Sequence, residues 1–179
     1  IVVHLREDRR HIKEKDIQYI IKHIKIPLQL EIAPTKFMFD YAISNNIKKV
    51  CIVPEKRKEL TTEGGLDLNK NFKFLSKNLP ILINKGIEVS LFIDPNIENI
   101  EIVKKLGVNA IEVHTGSYAN SNNRNKGTYL QKIKNIVKVA KNNHIIVSAG
   151  HGLNFDNVKN IIEISGIEEL RYKESDRIK

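Results

Sequence analysis

The sequence predicts an α/β protein whose parallel strands close as a (β/α)8 barrel, and three observations carry that expectation. Short β-branched runs recur along the 179 residues, each followed by a helical pattern, in six strand–helix units. The runs are apolar almost throughout, as strands of a parallel sheet covered by helices must be. Each run also ends in ionisable or polar groups: His4 and Arg6, Glu31, Glu55 just after Pro54, Asp94, Glu112 with His114, and His151. An open doubly wound sheet concentrates its site at one switch point between strands. A barrel gathers the C-terminal end of every strand around one mouth, so polar groups at successive strand ends favour the barrel.

In order, IVVHL (1–5) is the first strand and runs into the charge cluster REDRRH. A helix follows around Lys15–Ile24, where Ile17, Ile20, Ile21 and Ile24 fall at helical spacing. LQLEIA (28–33) is the second strand, and Thr35 is a suitable N-cap for a helix reaching about Asn45. VCIVP (50–54) leads into the polar loop PEKRKELTTEGG (54–65), longer than a strand-to-helix connection needs and suited to a lid. The apolar-periodic segment beyond it runs through Leu82, and Pro80 is expected to kink or interrupt it. GIEVSLFID (86–94) precedes a helix that Gly107 stops. AIEVHT (110–115) precedes a second polar loop, GSYANSNNRNKG (116–127), readable as another lid or as a solvated insertion, and then the helix LQKIKNIVKVAK. HIIVSAGHG (144–152) precedes NFDNVKNIIEIS. Cys51, in mid-strand, reads as core rather than as a nucleophile.

A complete barrel takes eight strands and typically ~250 residues. This chain offers six clear strands and a weakly marked seventh, so either strands are missing at the ends or the barrel reading is wrong. The chain starts without Met, which predicts a longer gene product. A missing strand would leave two sheet edges exposed, which predicts pairing with another copy, or a chain that alone is poorly folded or inactive.

Composition narrows the function. The net charge of +9 arises from 30 Lys and Arg against 21 Asp and Glu, with lysines scattered through every helix beside Asn and Ile. That is a compositional bias, and no segment clusters basic groups with aromatics, so no nucleic-acid partner is expected. No apolar run approaches the ~20 residues of a membrane span. The absence of a signal peptide and the single cysteine point to a reducing, cytoplasmic location. Without GxGxxG, a phosphate-loop lysine motif, HxH or HExxH, no cofactor and no metal are expected.

His4, at a strand end, can exchange a proton near neutrality. Arg6, Arg9 and Arg10 suit a phosphate, or else form an ion-paired loop with Glu7 and Asp8. Glu31 stands inside an apolar strand, where burial raises its pKa and makes it a base; the bland alternative is a pair with a neighbouring Arg or Lys. Glu112 and His114, two apart, share one face, and facing inward they form a second acid/base pair. His151 between glycines lets a ligand approach the backbone, where N–H groups can hold an anion.

Taken together, VHLREDRRHI, the Glu of LQLEIA, VPEKRKELTTEGGLD, VSLFID, IEVHTG and AGHGLN resemble the pyridoxine 5′-phosphate synthase family, in order and spacing, to about residue 170. The resemblance implies a (β/α)8 TIM barrel, a cytoplasmic homo-octamer, and no metal. It implies condensation of two small phosphorylated substrates, 1-deoxy-D-xylulose 5-phosphate and 3-amino-2-oxopropyl phosphate, with release of phosphate and water. By motif match, His4 and Glu31 are the proton acceptors, His151 the proton donor and Glu112 the transition-state stabiliser. Arg6, His11, Thr61 and Gly152 are substrate-binding positions. The family's Asn-x-Asp-His segment has no match here, and its ELNIGH strand is replaced by EELRYKESDRIK, whose end resembles a stretch of 5-enolpyruvylshikimate-3-phosphate synthases. Set against the family, the chain is therefore expected to be a barrel over residues 1–170 that lacks its first strand and has a weakly marked eighth, with a divergent tail at 171–179. Two alternatives are a non-catalytic barrel fragment and another phosphate-binding barrel enzyme. An aldolase would want a Schiff-base Lys at a strand end, and outside the lid loop no strand ends in one.

Overall fold

The computed structural model describes residues 1–55 and 64–171. Strands and helices alternate as β1 (Val2–His4), α1 (Glu14–His23), β2 (Gln29–Ile32), α2 (Lys36–Ser44), β3 (Lys49–Ile52), α3 (Leu68–Asn84), β4 (Glu88–Ile93) and α4 (Glu98–Lys105). They continue as β5 (Ala110–His114), α5 (Gly116–Ala119), α6 (Asn123–Asn142), β6 (Ile146–Gly150), α7 (Lys159–Ile162) and β7 (Glu169–Arg171). All seven strands are parallel and lie in sequence order in one sheet. The weakly marked last strand is real: β7 pairs with β6 in register, Gly150 against Arg171.

The sheet is curled into a half-barrel. Side chains of β7 cross the hollow to the far strands: Arg171 donates to Gln29 of β2 at 2.7 Å, and Glu169 pairs with Lys49 of β3 at 2.8 Å. A flat sheet could not bring its seventh strand to its second and third, given strand spacings of about 4.8 Å. Among the described residues, the outer edges of β1 and β7 have no strand partner.

Strand alternation sorts the two faces. Leu30, Ile32, Val50, Ile52, Val89, Leu91, Ile93, Ile111, Val113, Val147 and Ala149 belong to the main core with helix residues such as Ile17, Met38, Leu75, Val103 and Ile136. The alternate set faces the hollow and is largely polar: His4, Gln29, Glu31, Ser90, Glu112, His114 and Ser148, with a small apolar floor of Cys51, Val53 and Phe92. Apolar burial outside and polar groups inside is what places chemistry within this fold.

Three local expectations are corrected. α3 runs a full turn past Pro80; buried Leu75, Leu79 and Leu82 hold the helix against the sheet, so the lost N–H bond does not end it. The segment 116–127 is mostly helical, because Asn122 accepts a hydrogen bond from Asn125 N–H and starts α6 well before its apolar periodicity begins. In α1 only Ile17 is buried; Ile21 and Ile24 are exposed.

Candidate active site

A cavity of about 720 Å³ opens at the C-terminal ends of the strands. Its lining includes His4 of β1 and Arg6 beyond it, Glu31 of β2, Glu112 and His114 of β5, His151 and Gly152 beyond β6, and Arg171 of β7. Parallel register builds it: His4 stands opposite Glu31, and His114 opposite Gly150. A second hollow of about 610 Å³ lies outside the sheet between α2 and α3, floored by Phe39, Ile43, Phe74 and Ile81 and rimmed by lysines; the strand-end acid–base groups lie in the first.

His4 Nδ1 lies 3.8 Å from Glu31 Oε2. Burial, helped by the charge of Arg6, lowers the His4 pKa to about 4, so the imidazole is neutral at pH 7. Desolvation raises the Glu31 carboxyl above its ordinary range, partly offset by Arg171 and His151. A neutral imidazole and a carboxylate of raised basicity, side by side, are two groups suited to accept protons.

Of the three arginines in the first cluster, only Arg6 lines the cavity. Arg10 pairs with Asp8 at 2.5 Å as the ion-paired reading expects, with Arg6 Nε 3.5 Å from the same carboxylate, whereas Arg9 pairs with Glu14 at 2.7 Å. Glu55 tethers the segment after β1 to the end of β3, accepting from Glu7 N–H at 2.6 Å with Arg6 Nε at 4.0 Å.

Across the cavity, Glu112 is buried and forms an ion pair with Arg171. Gly150 keeps that carboxylate's space open, since a Cβ there would sit 2.6 Å from Glu112 Oε1. Cys51 Sγ lies 3.7 Å from Glu112 Oε2, and burial pushes its thiol up to about 12, which makes it a protonated core group.

His151 and Gly152 both take left-handed backbone, with φ of 82° and 74°. A left-handed His is uncommon and must be held by its surroundings. Thr115 Oγ1 donates to the carbonyls of Gly150 and His151 at 2.7 and 2.8 Å, and Asn157 Nδ2 donates to that of Gly152 at 3.0 Å. Tyr118 of α5 in turn donates to the Asn157 carbonyl at 2.7 Å.

Seven of the sequence-predicted site residues are thus brought to one cavity: His4, Arg6, Glu31, Glu112, His114, His151 and Gly152. His11 is exposed and does not line it, and Thr61 with most of the expected lid lies outside the described residues. Sequence reasoning missed Asn120 and Arg171. Arg171 could have been found from its alternation with Glu169 on a strand after AGHG; Asn120 offered no signal.

A curled parallel sheet with phosphate-suited and proton-transferring groups at its strand ends defines a barrel-type enzyme. A family model described as pyridoxal phosphate biosynthesis protein PdxJ matches residues 1–172. Curated pyridoxine 5′-phosphate synthases are similar over nearly the whole chain. That of Prochlorococcus marinus (strain AS9601) is 46% identical, with 95% of this chain and 71% of the relative covered, and that of Geobacter sp. (strain M21) is 44% identical, covering 95% and 72%. The chain belongs to the pyridoxine 5′-phosphate synthase (PdxJ) family of enzymes. Among solved structures, the crystal structure of the Amycolatopsis orientalis BexX/CysO complex superposes with a TM-score of 0.64 at 12% identity, covering 96% of this chain and 68% of that one. The EAL domain of Mycobacterium smegmatis DcpA superposes with a TM-score of 0.53 at 13% identity, covering 80% and 65%. These two share the fold alone.

Proposed function

We propose that the cavity joins 1-deoxy-D-xylulose 5-phosphate to 3-amino-2-oxopropyl phosphate, closing the pyridine ring of pyridoxine 5′-phosphate with loss of phosphate and water. The single observation that carries the reading is the convergence of His4, Glu31, Glu112 and His151, from four different strands, on one cavity. Condensing an amine with a carbonyl, eliminating phosphate and removing a carbon-bound proton each move protons, so several tuned acid/base groups are needed.

In this reading His4 and Glu31 accept protons, as their neutral imidazole and raised carboxyl suit them to do. His151 donates one, from a backbone conformation that Thr115 holds in place. Glu112 stabilises positive charge that develops on the reacting nitrogen. Arg6 and the backbone of Gly152 take the phosphates, Arg6 by its fork of N–H donors. Thr61 is a further substrate contact by motif, whereas the motif's His11 stands outside the cavity lining. The enzyme works in the cytoplasm as a homo-oligomer, octameric by family resemblance.

The test is turnover by the purified protein given both substrates, followed by phosphate release and by the product's absorbance. Product should form, and Glu31→Gln should lower kcat by about 10²–10⁴-fold, the usual weight of a general base. A protein that melts cooperatively yet forms no product would overturn the reading.

A further inference from the structure

The proton-transfer groups assigned so far leave unused a histidine that a carboxylate braces. His114 Nδ1 lies 2.8 Å from Asp94 Oδ1. The His114 hydrogen bond holds the Asp94 carboxyl below its ordinary range, so it is ionised and can only accept. Nδ1 therefore carries the proton of this bond, and in the neutral ring the lone pair is on Nε2. His114 is 3% exposed and lines the cavity. Among the described residues its Nε2 has no hydrogen-bond partner. A buried polar atom left so in a cavity of this kind calls for an explanation, and a bound ligand is one.

The surroundings keep that nitrogen available. Phe92 packs on the ring at a centroid distance of 5.1 Å, and His151 meets it edge-on at 4.9 Å. Gly116 follows two residues on; a Cβ there would overlap Nε2 and stand 3.1 Å from His151 Cδ2. The glycine of IEVHTG is thus required by the ring, since any side chain would cover Nε2. Asp94 is itself packed against the backbone of Gly65, where a Cβ would overlap its main chain.

We propose that His114 is a further catalytic base of this site, with Asp94 its positioning residue. The proposal rests on the synthase reading above. Nε2 takes a proton from a carbon of the bound condensation product. The C–H electron pair becomes the new ring double bond, and hydroxide departs from the adjacent carbon with its own bonding pair. The proton then passes from the imidazolium to that hydroxide, so one water leaves and the ring ends neutral. Asp94 stabilises the imidazolium in between. Asp94, at the end of the neighbouring strand, thus joins His114 beside the expected pair of Glu112 and His114, which both line the cavity.

Two measurements on the whole protein decide it. His114→Gln should lower kcat about 10²–10⁴-fold while KM changes by less than about threefold, and Asp94→Asn should lower kcat at least about tenfold with KM similarly held. A His114→Gln enzyme with kcat within about threefold of wild type overturns the proposal. Nitrogen-15 NMR of the wild-type histidine rings needs no variant to fold. Nδ1 of His114 should be protonated and Nε2 bare, and the Nε2 resonance should move when 1-deoxy-D-xylulose 5-phosphate is added. In a wild type that turns over, a protonated Nε2 or an unmoved resonance overturns the role of His114 alone. A wild type with no turnover overturns the synthase reading and the catalytic role together.

Discussion

The centre of the sheet and its two edges are built differently, yet each supplies half of the site. Strands β4, β5 and β6 are buried along all but their first residue, under helices that share the core with them. Strands β1 and β7 have three residues each, none fully buried, and Ile1 and Val2 are 45% and 40% exposed. Glu112, His114 and His151 stand on the centre, whereas His4, Arg6 and Arg171 stand on the edges. At the edges polar links add to the partial packing of Val3 and Leu170 against the core. The N-terminal amine donates to the Pro27 carbonyl at 2.7 Å, Gln29 N–H donates to the Ile1 carbonyl at 2.8 Å, and Arg171 reaches Gln29 and Glu112. The difference teaches that the centre is closed by apolar burial and the edges largely by polar links to it, while the cavity is lined from both.

The largest effect on stability should come from the polar link that ties edge to centre. Arg171→Ala leaves Glu112 buried and unpaired, and should cost about 3–5 kcal/mol in denaturant unfolding. A loss under about 1 kcal/mol would mean that the edge is not held this way. Next comes packing at the centre: Leu91→Ala removes a fully buried side chain and should cost about 2–5 kcal/mol by the same measurement.

The third prediction concerns pH at the β1 edge. Folded His4 stays neutral down to about pH 4, whereas in the unfolded chain it protonates near 6.5. Between those values the unfolded state binds the extra proton, so stability falls as pH drops through the window, by up to about 3 kcal/mol. Glu31, whose folded carboxyl is raised, acts in the opposite sense as pH falls. The His4 contribution is therefore read as the difference in slope between wild type and His4→Asn, and equal slopes would contradict the burial assigned to His4. The smallest effect belongs to the exposed start of the edge: Val2→Ala should stay within about 0.5 kcal/mol of wild type, as surface changes do.

Much of this contrast was legible in the sequence. Continuous apolar runs marked β2 to β6, since strands that pack under helices must be apolar on that face, and the polar residue ending each run marked the mouth. Glu31, Glu112 and His151 were readable because a charge or a glycine-flanked histidine at a strand end has few structural reasons to be there. What was not legible depended on distance along the chain. The pairing of Asp94 with His114 joins residues twenty apart, which no local period announces. Arg171 looked like the start of a divergent tail because its partners, Gln29 and Glu112, are 142 and 59 residues away by sequence number. The helical character of 116–127 was hidden because Asn122 caps a turn with no apolar stripe of its own.

The most direct test of the central claim, that edge and centre form one substrate site, is amide hydrogen exchange with and without 1-deoxy-D-xylulose 5-phosphate. Slowed exchange at both His4–Arg6 and Gly150–Gly152 on adding the substrate is the predicted result. Slowing confined to the central strands, or at neither segment, would contradict it.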